Sequence, residues 1–362
     1  MSDPSWFEVD NVDEIPSPAL LVYPDRVQAN IARMLEIVDG DTARLRPHVK
    51  THKMAEVVRM QIDAGIVKFK CATIAEAELT AGAGAKDVLL SYQPVGPNVR
   101  RFADLNAKFP NTSFAAMVDA PDIVDQLAKF EGNFRLFVDV DCGMGRTGIS
   151  PADAPELCRH IQDTEGVTFA GIHAYDGHIH DASLQIREQE FGSAMESIRE
   201  LIDEVKPPTL ICGGSPTFAL HAGGTWECSP GTTLFWDAGY QSAYPDLDFE
   251  VAAVLLTRVA SKPGTNRLCL ELGHKAIAAE NPLDRRVRFL NLENAVPIMQ
   301  SEEHLVVEVP HPEAFSLGDV IYAVPIHICP TVALHEEAAM IRDGSFTGET
   351  WQVLARRRKL TV

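Results

Sequence analysis

Leu45-Arg46-Pro47-His48-Val49-Lys50-Thr51-His52-Lys53-Met54-Ala55 is the stretch from which the rest of the chain is read. Leu45, Pro47 and Val49 alternate with Arg46, His48 and Lys50, and a period of two predicts a strand with one apolar and one polar face. Like charges on that polar face repel, so an anion such as a phosphate or carboxylate is expected beside them. Arg46, Lys53 and the imidazoles of His48 and His52 should each disfavour the ammonium form of Lys50. A lysine in such a setting can attack a carbonyl and hold it as a Schiff base. The competing reading is a basic, solvated strand end that leads into a helix at Met54.

Outward from this stretch a rhythm of short β-rich run, polar turn and amphipathic helix repeats. Candidate strands are Ala19–Tyr23, Leu45–Val49, Val67–Cys71, Val88–Tyr92, Ser113–Val118, Phe134–Val140, Val167–Ala174 and Thr209–Cys212. Asp25 is an N-cap for a helix over Val27–Val38, with Ile31, Met34, Leu35 and Val38 on one face. Strands alternating with helices in this way predict an α/β fold, a (β/α)8 TIM-type barrel over residues 19–244. A doubly wound open sheet is the alternative. No Gly-x-Gly-x-x-Gly follows the first strand, which counts against a dinucleotide fold. After Tyr244 the helices drop out. Val251–Ser261, Arg267–Leu272, His304–Val309, Asp319–Ile328 and Trp351–Leu360 predict a β-rich C-terminal domain over 245–362, with residues 1–18 packed against it.

Composition bounds the function. A chain of 362 residues with 46% apolar and 23% charged residues fits a soluble enzyme of about two domains. A formal net charge of −19 disfavours a basic nucleic-acid-binding face. The 7 cysteines are odd in number and irregularly spaced, so they form no disulfide framework. The acidic, polar start does not read as a signal peptide, so none is expected, and no apolar run reaches the roughly 18 residues that span a bilayer. A cytoplasmic location is expected.

In a barrel the chemistry gathers at the C-terminal ends of the strands. Lys50 falls there, as do Asp139-Val-Asp141-Cys-Gly143-Met-Gly145-Arg146, the group His173, Tyr175, His178 and His180, and Cys212-Gly213-Gly214-Ser215-Pro-Thr217. Glycines with neighbouring hydroxyls suit backbone N–H groups that cradle an oxyanion, although most such triplets are turns. A carbonyl-capturing lysine and a phosphate cradle across one barrel mouth point to pyridoxal 5′-phosphate.

At this point the sequence resembles a known family. Arg46-Pro-His48-Val-Lys50-Thr-His52-Lys53 is similar to the lysine signature of the D-threonine aldolase and D-serine dehydratase group, pyridoxal-phosphate enzymes of the alanine-racemase-like fold. Asp141-Cys-Gly-Met-Gly-Arg146-Thr-Gly148 resembles the alanine racemase stretch whose arginine contacts the cofactor's phenolic oxygen. The resemblance implies a homodimer with Lys50 as the Schiff-base lysine. It matches Gly213, Gly214 and Ser215 to the phosphate loop and Tyr175 to a tyrosine beside the cofactor. Two departures stand out. Cys228-Ser229-Pro230-Gly231 offers Ser229 where alanine racemase has an arginine facing the pyridine nitrogen, and the racemase's catalytic tyrosine has no clear match. Racemization is therefore disfavoured.

Pro325-Ile-His327-Ile-Cys329-Pro-Thr331 carries the second signal. On a strand, residues two apart point the same way, so His327 and Cys329 could bind one metal; a lone His-x-Cys is more often structural. The resemblance implies a divalent metal here, and the cysteine matches the dehydratases, where aldolases carry aspartate. A thiolate favours zinc over harder ions such as manganese. The resemblance also implies a base histidine after the tyrosine, and His180 matches once a gap is allowed. Lys275 is a rival lysine without cationic neighbours, and Cys71, Cys142 and Cys212 read as core fillers.

These residues imply a metal-assisted lyase acting on β-hydroxy D-amino acids. D-threonine aldolase chemistry, giving glycine and an aldehyde, is preferred because His180 supplies a base. Cys329 favours the alternative, a D-serine or D-threo-3-hydroxyaspartate dehydratase giving a keto acid and ammonia. A non-catalytic pyridoxal-phosphate-binding protein is the remote alternative.

Overall fold

The computed structural model describes residues 5–362. Two compact units divide the chain. One holds the residues up to Asn30 with Thr51–Lys53 and Leu234–Arg356; the other holds Ile31–Lys50, Met54–Thr233 and Arg357–Val362.

The first strand, β1 (Ala19–Val22), is not a barrel strand, contrary to the sequence expectation. It pairs in parallel with β15 (Glu337–Arg342) and antiparallel with β9 (Ala253–Ser261) in a 9-stranded sheet. The barrel unit contains a 7-stranded parallel sheet in sequence order. Its strands are β2 (Lys68–Cys71), β3 (Asp87–Leu90), β4 (Ser113–Val118), β5 (Phe134–Val140), β6 (Val167–Ala174), β7 (Leu210–Cys212) and β8 (Glu227–Cys228). Residues 45–49 close it. The Arg46 N–H donates to the Cys228 carbonyl at 2.8 Å, the Val49 N–H to the Lys70 carbonyl at 2.9 Å, and the Lys70 N–H to the Pro47 carbonyl at 2.9 Å. The opening stretch thus closes the ring through isolated bridges, Leu45 to Cys228 and His48 to Lys70, rather than as a full strand, and the short β8 is the last strand of the sheet.

Period two sorts the ring's side chains into layers. On β5, Arg135, Phe137 and Asp139 share the inner face. The lower layer is charged. Arg46 donates to Glu227 Oε2 at 2.6 Å and to Asp87 Oδ1 at 2.7 Å, Arg135 reaches Asp87 Oδ2 at 2.8 Å, and Lys68 pairs with Glu227. Above it lies an apolar belt of Leu89, Ala115, Met117, Phe137, Ala170 and Ile211. Asp139, His173 and Lys70 form the layer above that. The anions beside Arg46 are therefore the protein's own carboxylates, buried inside the ring. Gly171, at φ +145°, follows a bulge in β6 where the pairing shifts between Leu136 and Phe137. Bulges of this kind re-aim the side chains that follow, here His173.

The second unit adds β10 (Arg267–Leu270), β11 (Val287–Phe289), β12 (Val296–Gln300), β13 (Leu305–Glu308), β14 (Val320–Pro325) and β16 (Ser345–Gln352). β15 and β16 form an antiparallel hairpin, and the expected strand at Trp351–Leu360 breaks after Gln352 into a 3-10 turn. The Asp10 N–H donates to the Gly344 carbonyl and the Phe346 N–H to Asn11 Oδ1, both at 2.8 Å. Among the described residues, no helix is long and apolar enough to cross a membrane.

Candidate active site

Lys50 ends the closing stretch of the barrel and is half-buried; its N–H donates to His48 Nδ1 at 3.3 Å. The next barrel strand carries Lys70, a site residue that the sequence reading did not single out. Its side chain is buried, at 4% exposure. Lys70 Nζ lies 2.7 Å from His173 Nε2, and His173 Nδ1 lies 2.7 Å from Asp139 Oδ1. Burial, then Lys50, pull the Lys70 ammonium down to about 7, while Asp139 opposes them. Burial, then Lys70, push the His173 imidazole down to about 4, so the ring is neutral. Burial alone would raise the Asp139 carboxyl, but the hydrogen bond and charge of His173, the Thr147 hydroxyl and Lys70 together hold the group below its ordinary range.

Tyr175 lies over this group. The Arg146 guanidinium is 5.1 Å and Lys70 Nζ 5.2 Å from its ring centre, both within cation–π range. The ring rests against Gly177 and Gly214: a Cβ at Gly177 would collide with it, and one at Gly214 would stand 3.2 Å from Cε2. Arg146 and Tyr175 are thus brought together. His180 is not part of that cluster. It is exposed, and its Nδ1 donates to the His178 carbonyl at 2.6 Å. The histidine that packs on the Gly143-Met-Gly-Arg146 loop is His178, whose Nε2 would lie 2.8 Å from a Cβ on Gly143. Its Nδ1 is buried without a hydrogen-bond partner.

The loops after β7 and β8 face each other. The Ser229 N–H donates to the Gly213 carbonyl at 3.0 Å, and Ser215 Oγ accepts from the Gly231 and Thr232 N–H groups, both at 3.2 Å. Gly213 has φ +75°, and a Cβ there would meet His221 at 2.9 Å. Behind the loop, Asp176 accepts from the Gly214 N–H at 3.3 Å and from His221 Nε2 at 2.8 Å. Ser229 Oγ is buried with no partner. A side-chain-free glycine backbone beside an orphaned buried hydroxyl fits a phosphate. Gly213, Gly214 and Ser215 follow β7, and Ser229, Gly231 and Thr232 meet them from the end of β8.

In the other unit, β14 stops at Pro325, so His327 and Cys329 do not lie on a strand as expected. His327 is the N-cap of the short helix Ile328–Val332. Their side chains nevertheless meet: the hydrogen bond to Cys329, helped by Glu280, pushes the His327 imidazole up to about 9. Glu280 Oε1 is 2.7 Å from His327 Nδ1, and Thr51 Oγ1 is 3.1 Å from Cys329 Sγ. Asp237 anchors the turn by accepting from the Ile328 N–H at 3.0 Å. An imidazole and a thiol in contact, with a carboxylate behind the imidazole, are a plausible ligand pair for a soft divalent metal. Lys275 is exposed and paired with Glu302 and Glu303.

Comparison with known proteins identifies the family. The family model for the alanine racemase N-terminal domain matches residues 22–238, and that for a putative serine dehydratase domain matches 252–341. The chain is 28% identical over 364 residues to a D-threonine aldolase of Arthrobacter sp., covering 96% of this chain and 94% of the relative. It is 25% identical over 378 residues to a D-serine dehydratase of Dictyostelium discoideum, covering 92% and 95%. Among solved structures, D-threonine aldolase from Filomicrobium marinum superposes with a TM-score of 0.87 at 26% identity, over 98% of this chain and 99% of that one. The chain therefore belongs to the alanine-racemase-like family of pyridoxal-phosphate lyases that includes the D-threonine aldolases and D-serine dehydratases.

Proposed function

We propose that the protein is a pyridoxal-phosphate and divalent-metal-dependent lyase that cleaves β-hydroxy D-amino acids to glycine and an aldehyde, in the manner of D-threonine aldolases. The observation that carries the lyase reading is the orphaned Ser229 hydroxyl inside the loop pair of Gly213–Ser215 and Ser229–Thr232. Lys50 would hold the cofactor's carbonyl carbon, Ser215, Ser229 and the loop N–H groups its phosphate, and Arg146 with Tyr175 its ring. When bound, the cofactor draws electrons from Cα and so weakens its bonds. His327 and Cys329 would hold a zinc or manganese ion that binds the substrate's β-hydroxyl. His180, or His178 beside it, would take the hydroxyl proton. The homodimer implied by the family likeness is part of this reading.

Cys329 at a metal-ligand position favours a second reading, a dehydratase releasing a keto acid and ammonia. Purified protein loaded with cofactor and metal is incubated with D-threonine and with D-serine, and glycine and pyruvate are assayed. Glycine in excess supports the aldolase. Pyruvate in excess assigns the dehydratase, and no product from either amino acid or from D-threo-3-hydroxyaspartate leaves a non-catalytic binder.

A further inference from the structure

The ring of His327 is engaged on two sides. Its Nδ1 lies 2.7 Å from Glu280 Oε1, and a hydrogen bond joins the ring to Cys329. With Nδ1 held by Glu280, Nε2 is the nitrogen left to face the sulfur. A carboxylate only accepts hydrogen bonds, so Glu280 keeps a ring proton on Nδ1 and leaves the Nε2 lone pair for an ion. Glu280 has no part in the reaction described above.

The pair is half-exposed, and a surface pair of that kind is ordinarily loose and adds little to stability. This one is held by the chain on both sides of the carboxylate. Glu280 lies in the stretch between β10 and β11. Two residues before it, the Ala278 N–H donates to Thr331 Oγ1 at 3.2 Å, and the Thr331 hydroxyl donates to the His327 carbonyl at 2.9 Å. Thr331 is fully buried. One residue after Glu280, the Asn281 carbonyl accepts from Arg286 Nε at 2.7 Å. The backbone that carries the carboxylate and the backbone that carries the imidazole are thus tied through one buried hydroxyl. Asp237 fixes the helix start that follows His327 by accepting from the Ile328 N–H, and Thr51 Oγ1 stands 3.1 Å from Cys329 Sγ. Such supports set a ligand's orientation before an ion arrives.

We propose that Glu280 is a positioning residue for the metal ligand His327: by holding Nδ1 it turns Nε2 toward Cys329 Sγ and raises the affinity of the pair for a divalent ion. The proposal rests on the reading of His327 and Cys329 as the metal ligands. Glu280 itself supplies no ligand atom, because a carboxylate on Nδ1 stands away from an ion on Nε2.

The test uses the full chain with its cofactor bound, stripped of metal with a chelator. Competition with a chromogenic chelator gives the zinc affinity. Cobalt(II) reads the sulfur ligand through its thiolate charge-transfer band. Glu280→Ala should weaken zinc binding about 10–100-fold. The cobalt–thiolate band should be kept, and the melting temperature of the metal-free protein should not change. Glu280→Gln, which keeps an acceptor at Nδ1 without the charge, should fall between Glu280→Ala and wild type. Wild-type zinc affinity in Glu280→Ala, with binding lost in His327→Ala, overturns the proposal and leaves the two ligands intact. Wild-type protein that binds no zinc, or His327→Ala that binds it as wild type does, removes the reading of the ligands instead. A lower melting temperature in metal-free Glu280→Ala, with zinc affinity kept in Glu280→Gln, assigns a structural role and also overturns the proposal. If Glu280→Ala does not fold, Glu280→Gln decides, since unchanged zinc affinity in it overturns the proposal.

Discussion

Replacing Arg46 with methionine removes the cation that ties the closing stretch of the barrel to β8 beside it and to β3 across the lower layer. The side chain is 1% exposed and serves two carboxylates, Asp87 and Glu227, at 2.7 and 2.6 Å. Breaking a buried pair from one side leaves an uncompensated charge, which costs about 3–5 kcal/mol. Each carboxylate keeps one partner, Arg135 for Asp87 and Lys68 for Glu227. That places the expected loss at the lower end, ~3 kcal/mol, or a melting point lower by about 6–12 °C for a unit of this size. The pH dependence gives a second signature. Burial pushes the Asp87 carboxyl up, but Arg46, then Arg135, outweigh it and hold it below the ordinary value. A carboxyl depressed in the folded state stabilises above its unfolded pKa of about 3.9 and loses that contribution as pH falls through the folded value. In Arg46→Met the depression is smaller, so the stability gap to wild type should narrow as the solution is acidified below that range. Equilibrium denaturation followed by circular dichroism at several pH values measures both. A loss under ~1 kcal/mol, or a gap that ignores pH, would refute the account of the lower layer.

Two further outcomes are expected. Gly171→Ala would push a Cβ onto the Thr209 carbonyl across β6 and β7; a thermal melt should show lower stability and a cofactor titration weaker binding, because the bulge that aims His173 is displaced. Metal binding at His327 and Cys329 should weaken as pH falls, since both ligands must be deprotonated. Isothermal titration should show Cys329→Asp moving the preference from zinc toward manganese, while unchanged affinity in His327→Ala would remove the pair as ligands.

The alternation over Leu45–Lys50 was legible as extended chain because only local spacing is needed to see it. What faced each side chain was not legible. The partners of Arg46 lie 41 and 181 residues away, so a face destined for the barrel interior looks, in sequence, like a basic solvated one. Ala19–Val22 has the composition of a barrel strand, and only its pairing with Ala338–Met340 and Ala253–Leu256 sends it to the other sheet. The last barrel strand, Glu227–Cys228, has 2 residues and so presents no period at all. His327 and Cys329 meet through the start of a helix rather than along a strand.

Lys70 is the case where a usable signal was present. Its strand reads Lys68-Phe69-Lys70-Cys71, which taken alone suits an edge exposed to water. A parallel strand with helices outside and neighbours on both sides has no watery face. Once the barrel is inferred, lysines alternating with Phe69 and Cys71 must point inward, and each must find an anion or give up its proton. Lys68 finds Glu227 below the belt of Leu89, Met117 and Phe137. Above that belt Lys70 finds Asp139 only through His173. The apolar belt keeps the two layers apart, so the carboxylates that neutralise the lower one are not available to the upper. Lys70 is left with the counter-charges of Asp139 and Asp176, neither of which it meets in an ion pair among the described residues, and its strand position in the sequence is enough to place it at the mouth where Lys50 also ends.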